Sequence, residues 1–293
     1  MDIKDSVIEK LKKVDLLPTF PDLVSDVLRI IDDPMSSASD IARHMDASMV
    51  GEVLKVAGSA FFSRSGARKI TSIEHAIAMI GYEHLTHIIL QMPFLTLAKK
   101  DDKSIDLQGF LRHSTLCGVI AKDISTATLM GNPNEVYIAS IIHDVGMVII
   151  YRFFHEEWEA IMSLVNEKGI SRIDAEREVL SFDHGVLGAM LMDMWDVPRS
   201  ITDGVRYHHC PEQADENRDN AICVHLGNIL SKQVIFNADS DSFVNFMVSN
   251  KGFVEKINKF RFPLSPKEEM ELFSKIYSSL KGLGNIYRGN EDD

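Results

Sequence analysis

A histidine and an aspartate stand side by side in the otherwise apolar run Ile141-Ile142-His143-Asp144-Val145-Gly146. An ionised carboxylate left alone in an apolar interior is unfavourable by several kcal/mol even after relaxation. Asp144 therefore calls for a cation, a metal ion or several hydrogen-bond donors. Adjacent helical positions point about 100° apart, so on a helix His143 and Asp144 grip one ion only if it lies over the edge between them.

Further imidazoles flank this pair: His113 in LRHSTLCG, His184 in FDHGVLGAML, and His208-His209 in GVRYHHC. Each stands next to apolar helical sequence. A set of imidazoles with one carboxylate suits Fe, Mn, Zn, Co or Ni better than an all-oxygen ion such as Ca²⁺. Two plainer readings stay open at this level. Any one of these histidines is an ordinary type of surface or hydrogen-bonded core residue, and Arg112 or Arg152 would also satisfy Asp144 through a buried ion pair. His44, His75, His84, His87, His155 and His225 carry no pattern and are read as ordinary.

The elements that must position these groups are helices. Apolar residues recur at three- and four-residue spacing, as in Leu23, Val27, Ile30 and Ile31, and two-residue alternation is scarce. The fold class is all-α. Helix boundaries are expected at Asp33-Pro34, at Ser36-Ser37 with Ser39, at Gly66, at Thr71-Ser72 before Glu74, at Gly131-Asn132-Pro133 and at Asp196 to Pro198. The polar stretch Lys99 to Asp106 separates an N-terminal helical subdomain, residues 1–98, from a histidine-bearing bundle over 107–236, with a helical extension over 237–293. A second polar stretch, Pro211 to Asn220, is expected to loop before the helix that carries His225.

The composition excludes several classes. With 45% hydrophobic and 25% charged residues over 293 positions, the chain is long enough to bury a large core and is not of disordered or fibrous type. A formal net charge of −12, with no long Lys/Arg run, argues against a nucleic-acid track. Arg64, Arg68 and Lys69 around Gly66 read as a solvated loop. The odd count of three cysteines, Cys117, Cys210 and Cys223, without a CxxC pair fits a reducing compartment. The N-terminal MDIKDSVIEKLKKVD is not a secretory signal, so a cytoplasmic location is expected. The run Val136 to Tyr151, broken by His143-Asp144, falls short of the ~18 apolar residues of a bilayer span, and no membrane association is expected.

The ordered set His113, His143-Asp144, His184, His208-His209 resembles the HD superfamily of metal-dependent phosphohydrolases and phosphodiesterases. The longer histidine set resembles the two-metal layout of its HD-GYP branch, which implies that Asp144 bridges two ions, with Fe or Mn favoured. The segments LPTFPDLVSDVLRIIDDP, SASDIARHMDASMVGEVLKVAGSAFF and ITSIEHAIAMIGYEHLTHIIL resemble the HDOD family specifically, over about residues 15 to 230. That resemblance implies a regulatory output module of bacterial signalling, with a signalling protein as partner and a nucleotide as a candidate ligand.

Two departures bear on catalysis. The superfamily's final aspartate aligns with Asn228 in AICVHLGNIL, or else with nearby Asp219, and an amide oxygen is the weaker ligand. Active members carry HDxGK, whereas this chain has HDVGM, with Met147 in place of the lysine, and no GYP motif follows His208-His209. Arg112, Arg152 or Arg206 would have to supply the missing charge. The expected function is a signalling module with a histidine/aspartate metal site. The alternative is a working phosphohydrolase or phosphodiesterase in which Asp144, Arg112 and Arg206 are candidates for catalysis.

Overall fold

The three- and four-residue apolar spacing folds as helices throughout a computed structural model that describes residues 9, 47–58, 70–97, 106–234, 255, 259–260 and 264–287. Among the described residues there is no strand. The elements are α1 (Ala47–Ala57), α2 (Ile73–Leu97), α3 (Leu107–Thr128), α4 (Pro133–Ile142), α5 (Val145–Phe153), α6 (His155–Lys168), α7 (Arg172–Leu180), α8 (His184–Met194), α9 (Arg199–Arg206), a 3-10 turn (Pro211–Gln213), α10 (Arg218–Val234) and α11 (Pro266–Tyr287). The expectations at residues 17–39, at His44, at Arg64, Gly66, Arg68 and Lys69, and at the stretch before Asp106 lie outside the described residues.

Several boundaries follow from capping chemistry. Asp106 accepts a hydrogen bond from the Gly109 amide at 2.8 Å and starts α3. Asn132 accepts from the amides of Asn134 and Glu135, with Pro133 in the first turn, and starts α4. Ser171 and Asp183 do the same for α7 and α8. The polar stretch after His209 is shorter than expected, since α10 already begins at Arg218. Helix α2 is bent at Gly81, whose φ of 80° lies where only glycine is at ease.

Helix α3 is the central strut, packed against α4, α10 and α11. Helix α9 rests on α4, α8 and α10, α8 on α5, and α2 reaches α4 and α5. Ile120 and Ile124 of α3, Tyr137 and Ile141 of α4, Ile149 of α5 and Leu226 of α10 share one buried apolar cluster. Fully burying a large aliphatic or aromatic side chain is worth roughly 1.5–3 kcal/mol, so this cluster fixes the helix directions. Leu272, Phe273 and Ile276 of α11 are buried in the same cluster. The C-terminal helix is therefore part of this core.

By length and composition the longer stretch Pro133–Phe153 would suffice to cross a bilayer, yet 78% of its apolar window is buried inside the protein. The chain also breaks at His143-Asp144. These two residues lie at the junction between α4 and α5 and not inside one continuous helix.

Candidate metal centre

The junction between α4 and α5 aims Asp144 inward. Asp144 precedes the first turn of α5, but its carboxylate makes no cap to that helix. It turns instead to four imidazoles. Asp144 Oδ1 lies 3.1 Å from His143 Nε2, 3.0 Å from His184 Nε2 and 3.7 Å from His208 Nε2, while Oδ2 lies 3.4 Å from His113 Nε2. Neither Arg112 nor Arg152 pairs with Asp144, so the ion-pair alternative gives way to histidines.

Glycines permit this convergence. A Cβ on Gly146 would stand 1.9 Å from the carbonyl oxygen of His184, and one on Gly185 would stand 3.1 Å from the His208 ring. Helices α5, α8 and α9 thus approach closely enough to bring Asp144, His184 and His208 together.

The outward nitrogens of four histidines are each held by an oxygen. His143 Nδ1 donates to the Ser140 carbonyl at 2.7 Å, His208 Nδ1 to the Val205 carbonyl at 2.7 Å, and His184 Nδ1 to Glu176 Oε2 at 2.7 Å. Ser231 Oγ spends its hydrogen on the Asn228 carbonyl and so accepts from His113 Nδ1 at 3.1 Å. An imidazole with its proton on Nδ1 presents a bare lone pair at Nε2, and the tautomers are assigned from these partners.

Those lone pairs face one another. His113 Nε2 and His143 Nε2 are 3.3 Å apart, and His209 Nε2, whose tautomer no oxygen partner fixes among the described residues, approaches the His184 lone pair at 2.9 Å. His208 Nε2 is buried with no hydrogen-bond partner among the described residues. Facing lone pairs around an anion repel unless a positive charge lies between them. Two donor groups result, His113-His143-Asp144 and Asp144-His184-His208-His209, with donor atoms within 4.8 Å inside each group. Nitrogen donors with one carboxylate fit a borderline transition ion.

Protons are the other way to supply that charge. Burial opposes ionisation of Asp144, but the His143 charge and hydrogen bonds from His113, His143 and His184 hold its carboxyl well below the usual range. Burial alone would lower His184, yet its hydrogen bonds to Asp144 and Glu176 push it up to about 10. Burial, reinforced by the neighbouring imidazoles, pushes His208 well down and His209 to about 2. Burial also lowers His113, against the pull of Asp144.

All six expected ligands meet at this centre. Asn228 lies one turn before Ser231 on α10, 3% exposed, with its side-chain oxygen buried and unpartnered among the described residues. Asp219 is exposed in the first turn of α10. Nine helical residues span roughly 13 Å, so Asp219 does not substitute for Asn228. Arg206 is paired with Asp193, Arg152 is exposed beside the Phe153 ring, and Arg112 is half-buried with Nε unpartnered among the described residues.

Three supporting residues escape sequence reasoning. Glu176 is fully buried and accepts from both the backbone amide and Nδ1 of His184. It falls on the apolar face of α7 with Ile173, Val179 and Leu180, a signal readable from the spacing. Ser231 has no such signal. His225, expected to be ordinary, donates from Nδ1 to the carbonyl of His208 at 2.7 Å.

The HDOD domain family matches residues 17–211, ending before α10. An uncharacterized protein of Treponema pallidum (strain Nichols) is 23% identical over 209 residues, covering 70% of this chain and 40% of that protein, so the chain spans less than half of that relative. Among solved structures, an HDOD domain protein of unknown function from Geobacter sulfurreducens is 25% identical with a TM-score of 0.64, over 95% of this chain and 94% of that one. A candidate phosphohydrolase from Shewanella amazonensis SB2B is 16% identical with a TM-score of 0.60, over 92% of this chain and 97% of that one. A candidate signal transduction protein from Marinobacter aquaeolei VT8 is 16% identical with a TM-score of 0.56, over 99% of this chain and 62% of that one. The last two likenesses speak to the fold alone.

Proposed function

Because this chain belongs to the HDOD domain family, we propose that it is a signalling module whose helical core holds a divalent transition ion, Fe or Mn by preference, at Asp144, His184, His208 and His209. The observation that carries this reading is the set of Nε2 lone pairs, fixed by oxygen partners on Nδ1, that converge on Asp144. His113, His143 and Asp144 form a second, poorer position, because the residue offered from α10 is the amide Asn228.

The signalling reading is favoured over hydrolysis by that amide and by Met147 in HDVGM. It places the protein in a reducing compartment, in keeping with three free cysteines, and assigns partner contact to the N-terminal subdomain, residues 1–98. The hydrolase reading is favoured by one observation, the assembly of five histidines around the single carboxylate of Asp144, which both donor groups share. In that reading a bound ion supplies activation of water toward a phosphoester.

Elemental analysis of protein purified without added metal, alongside hydrolysis of phosphomonoesters, nucleotides and cyclic dinucleotides, separates the two. About one equivalent of transition metal without turnover is the expected result. Chelator-sensitive turnover would establish the hydrolase, and absence of metal would overturn both.

A further inference from the structure

His208 and His209 are successive residues, yet both rings reach the same centre. Successive side chains point about 100° apart on a helix and to opposite faces of a strand. Here the two ring centroids are 3.8 Å apart, and both residues belong to the donor group of Asp144 and His184, whose ligand atoms lie within 4.8 Å of one another. The chain achieves this in the turn that follows α9, where the Cys210 amide donates to the Tyr207 carbonyl at 2.9 Å.

The two rings are anchored differently. His208 Nδ1 donates to the Val205 carbonyl at 2.7 Å. Among the described residues the His209 ring has its hydrogen-bond contact inside the centre, with His184 Nε2, so no outer oxygen fixes it and its aim depends on the backbone. A peptide unit is planar, and the His208 carbonyl and the His209 amide therefore form one rigid plate whose ends are the two Cα atoms that carry the rings. From α10, His225 Nδ1 donates to that carbonyl at 2.7 Å. The half-buried His225 ring meets the Phe260 ring nearly edge-on, at 79° with centroids 5.9 Å apart, and Phe260 packs against the core. The donor is itself held in place.

We infer that His225 is the positioning residue of the His208-His209 pair, fixing through the His208 carbonyl the peptide plane that aims both rings. This rests on the metal-centre reading. His208 is fully buried, and a buried carbonyl without a donor is unfavourable, so loss of the His225 bond lets the plate turn toward another partner. His208 keeps its bond to Val205, and the displacement falls on His209. The centre thereby extends past residue 211, where the family match ends, to α10 and Phe260.

The test uses full-length protein loaded with Co²⁺, whose visible spectrum reports the number and geometry of its donors, with affinity from competitive chelator titration. His225→Phe keeps an aromatic ring against Phe260 and removes the donor. It should weaken Co²⁺ about ten- to a hundredfold, as outer-shell changes do, and its spectrum should match that of His209→Ala. His225→Asn, whose amide nitrogen stands where Nδ1 does, should bind like wild type, whereas His225→Gln, with its donor one bond farther out, should not. The double variant His225→Phe/His209→Ala should bind no more weakly than His209→Ala alone, because the two changes remove the same donor.

Wild-type affinity in His225→Phe, equal affinities in His225→Asn and His225→Gln, or losses that multiply in the double variant would each overturn the assignment. The comparison of His225→Asn with His225→Gln decides alone if His225→Phe does not fold. Wild-type protein that takes up no Co²⁺ overturns the underlying metal reading instead.

Discussion

Glu176 Oε2 accepts two hydrogen bonds from His184, one from the backbone amide at 2.8 Å and one from Nδ1 at 2.7 Å. One carboxylate oxygen thus anchors the start of α8 and fixes which ring nitrogen of His184 faces Asp144. The cost is a second buried carboxylate beside Asp144, and neither is ion-paired to a lysine or arginine among the described residues. A cation at the centre would offset both.

Glu176→Gln should weaken metal binding, because a neutral amide holds the ring less firmly and makes the imidazole a poorer donor. Outer-shell changes of this kind typically cost 10–100-fold in metal affinity. A competitive chelator titration of the two proteins measures it. Equal affinities would remove Glu176 from the centre.

His143→Ala and Asp144→Ala should differ in severity. Asp144 contacts four imidazoles, His143 serves one donor group, and loss of Asp144 disrupts both groups. A ligand present at a hundred times its Kd stabilises the folded state by about 2.7 kcal/mol. Thermal melts with and without chelator should show that increment in wild type, a reduced one in His143→Ala and none in Asp144→Ala. An undiminished increment in Asp144→Ala would exclude it as a ligand.

The metal-free protein should be most stable near pH 6.5. His113, His208 and His209 have lowered values in the folded state. Below about 6.5 the unfolded chain binds protons that the folded one does not, and stability falls by at most roughly 1.4 kcal/mol per pH unit for each such histidine. His184 has the opposite sign. Raised to about 10, it contributes fully below the unfolded value and loses that contribution as pH rises toward 10. Urea midpoints of chelated protein at pH 5, 6.5 and 8.5 check this, and a midpoint that rises toward pH 5 would contradict it.

The residues that meet at the centre were legible because His143 and Asp144 interrupt an apolar run, and polar groups in such a run need partners. The helix break between them was not legible, since no glycine or proline marks it. Capping residues such as Asn132 with Pro133 announced their helices directly. Glu176 was readable from its place on the apolar face of α7, but it sits among exposed charges of the same type. Ser231 reaches the centre only through its contact with His113, at a sequence separation of 118 residues, and no local pattern encodes such a distance.

Gly146→Ala should separate the two helices that frame the centre. The added Cβ would meet the His184 carbonyl oxygen at 1.9 Å and the Gly188 amide at 2.8 Å, both backbone atoms that cannot rotate away. Overpacking of this kind costs about 1–3 kcal/mol. A lower Tm together with reduced metal content is expected, and a variant that matches wild type in both would show that α5 and α8 need no such approach.

Asn228→Asp tests whether the poorer half of the centre is limited by its missing carboxylate. The side chain is 3% exposed and its oxygen has no hydrogen-bond partner among the described residues, so the aspartate occupies the same space with an added charge. Without metal that charge is buried with no partner, and its desolvation destabilises the fold. With metal the same charge completes His113, His143 and Asp144 as a second position. The variant should therefore melt below wild type when chelated, and should hold more metal per chain when loaded, moving from about one equivalent toward two. An unchanged stoichiometry with an unchanged chelated melt would place Asn228 outside the centre altogether.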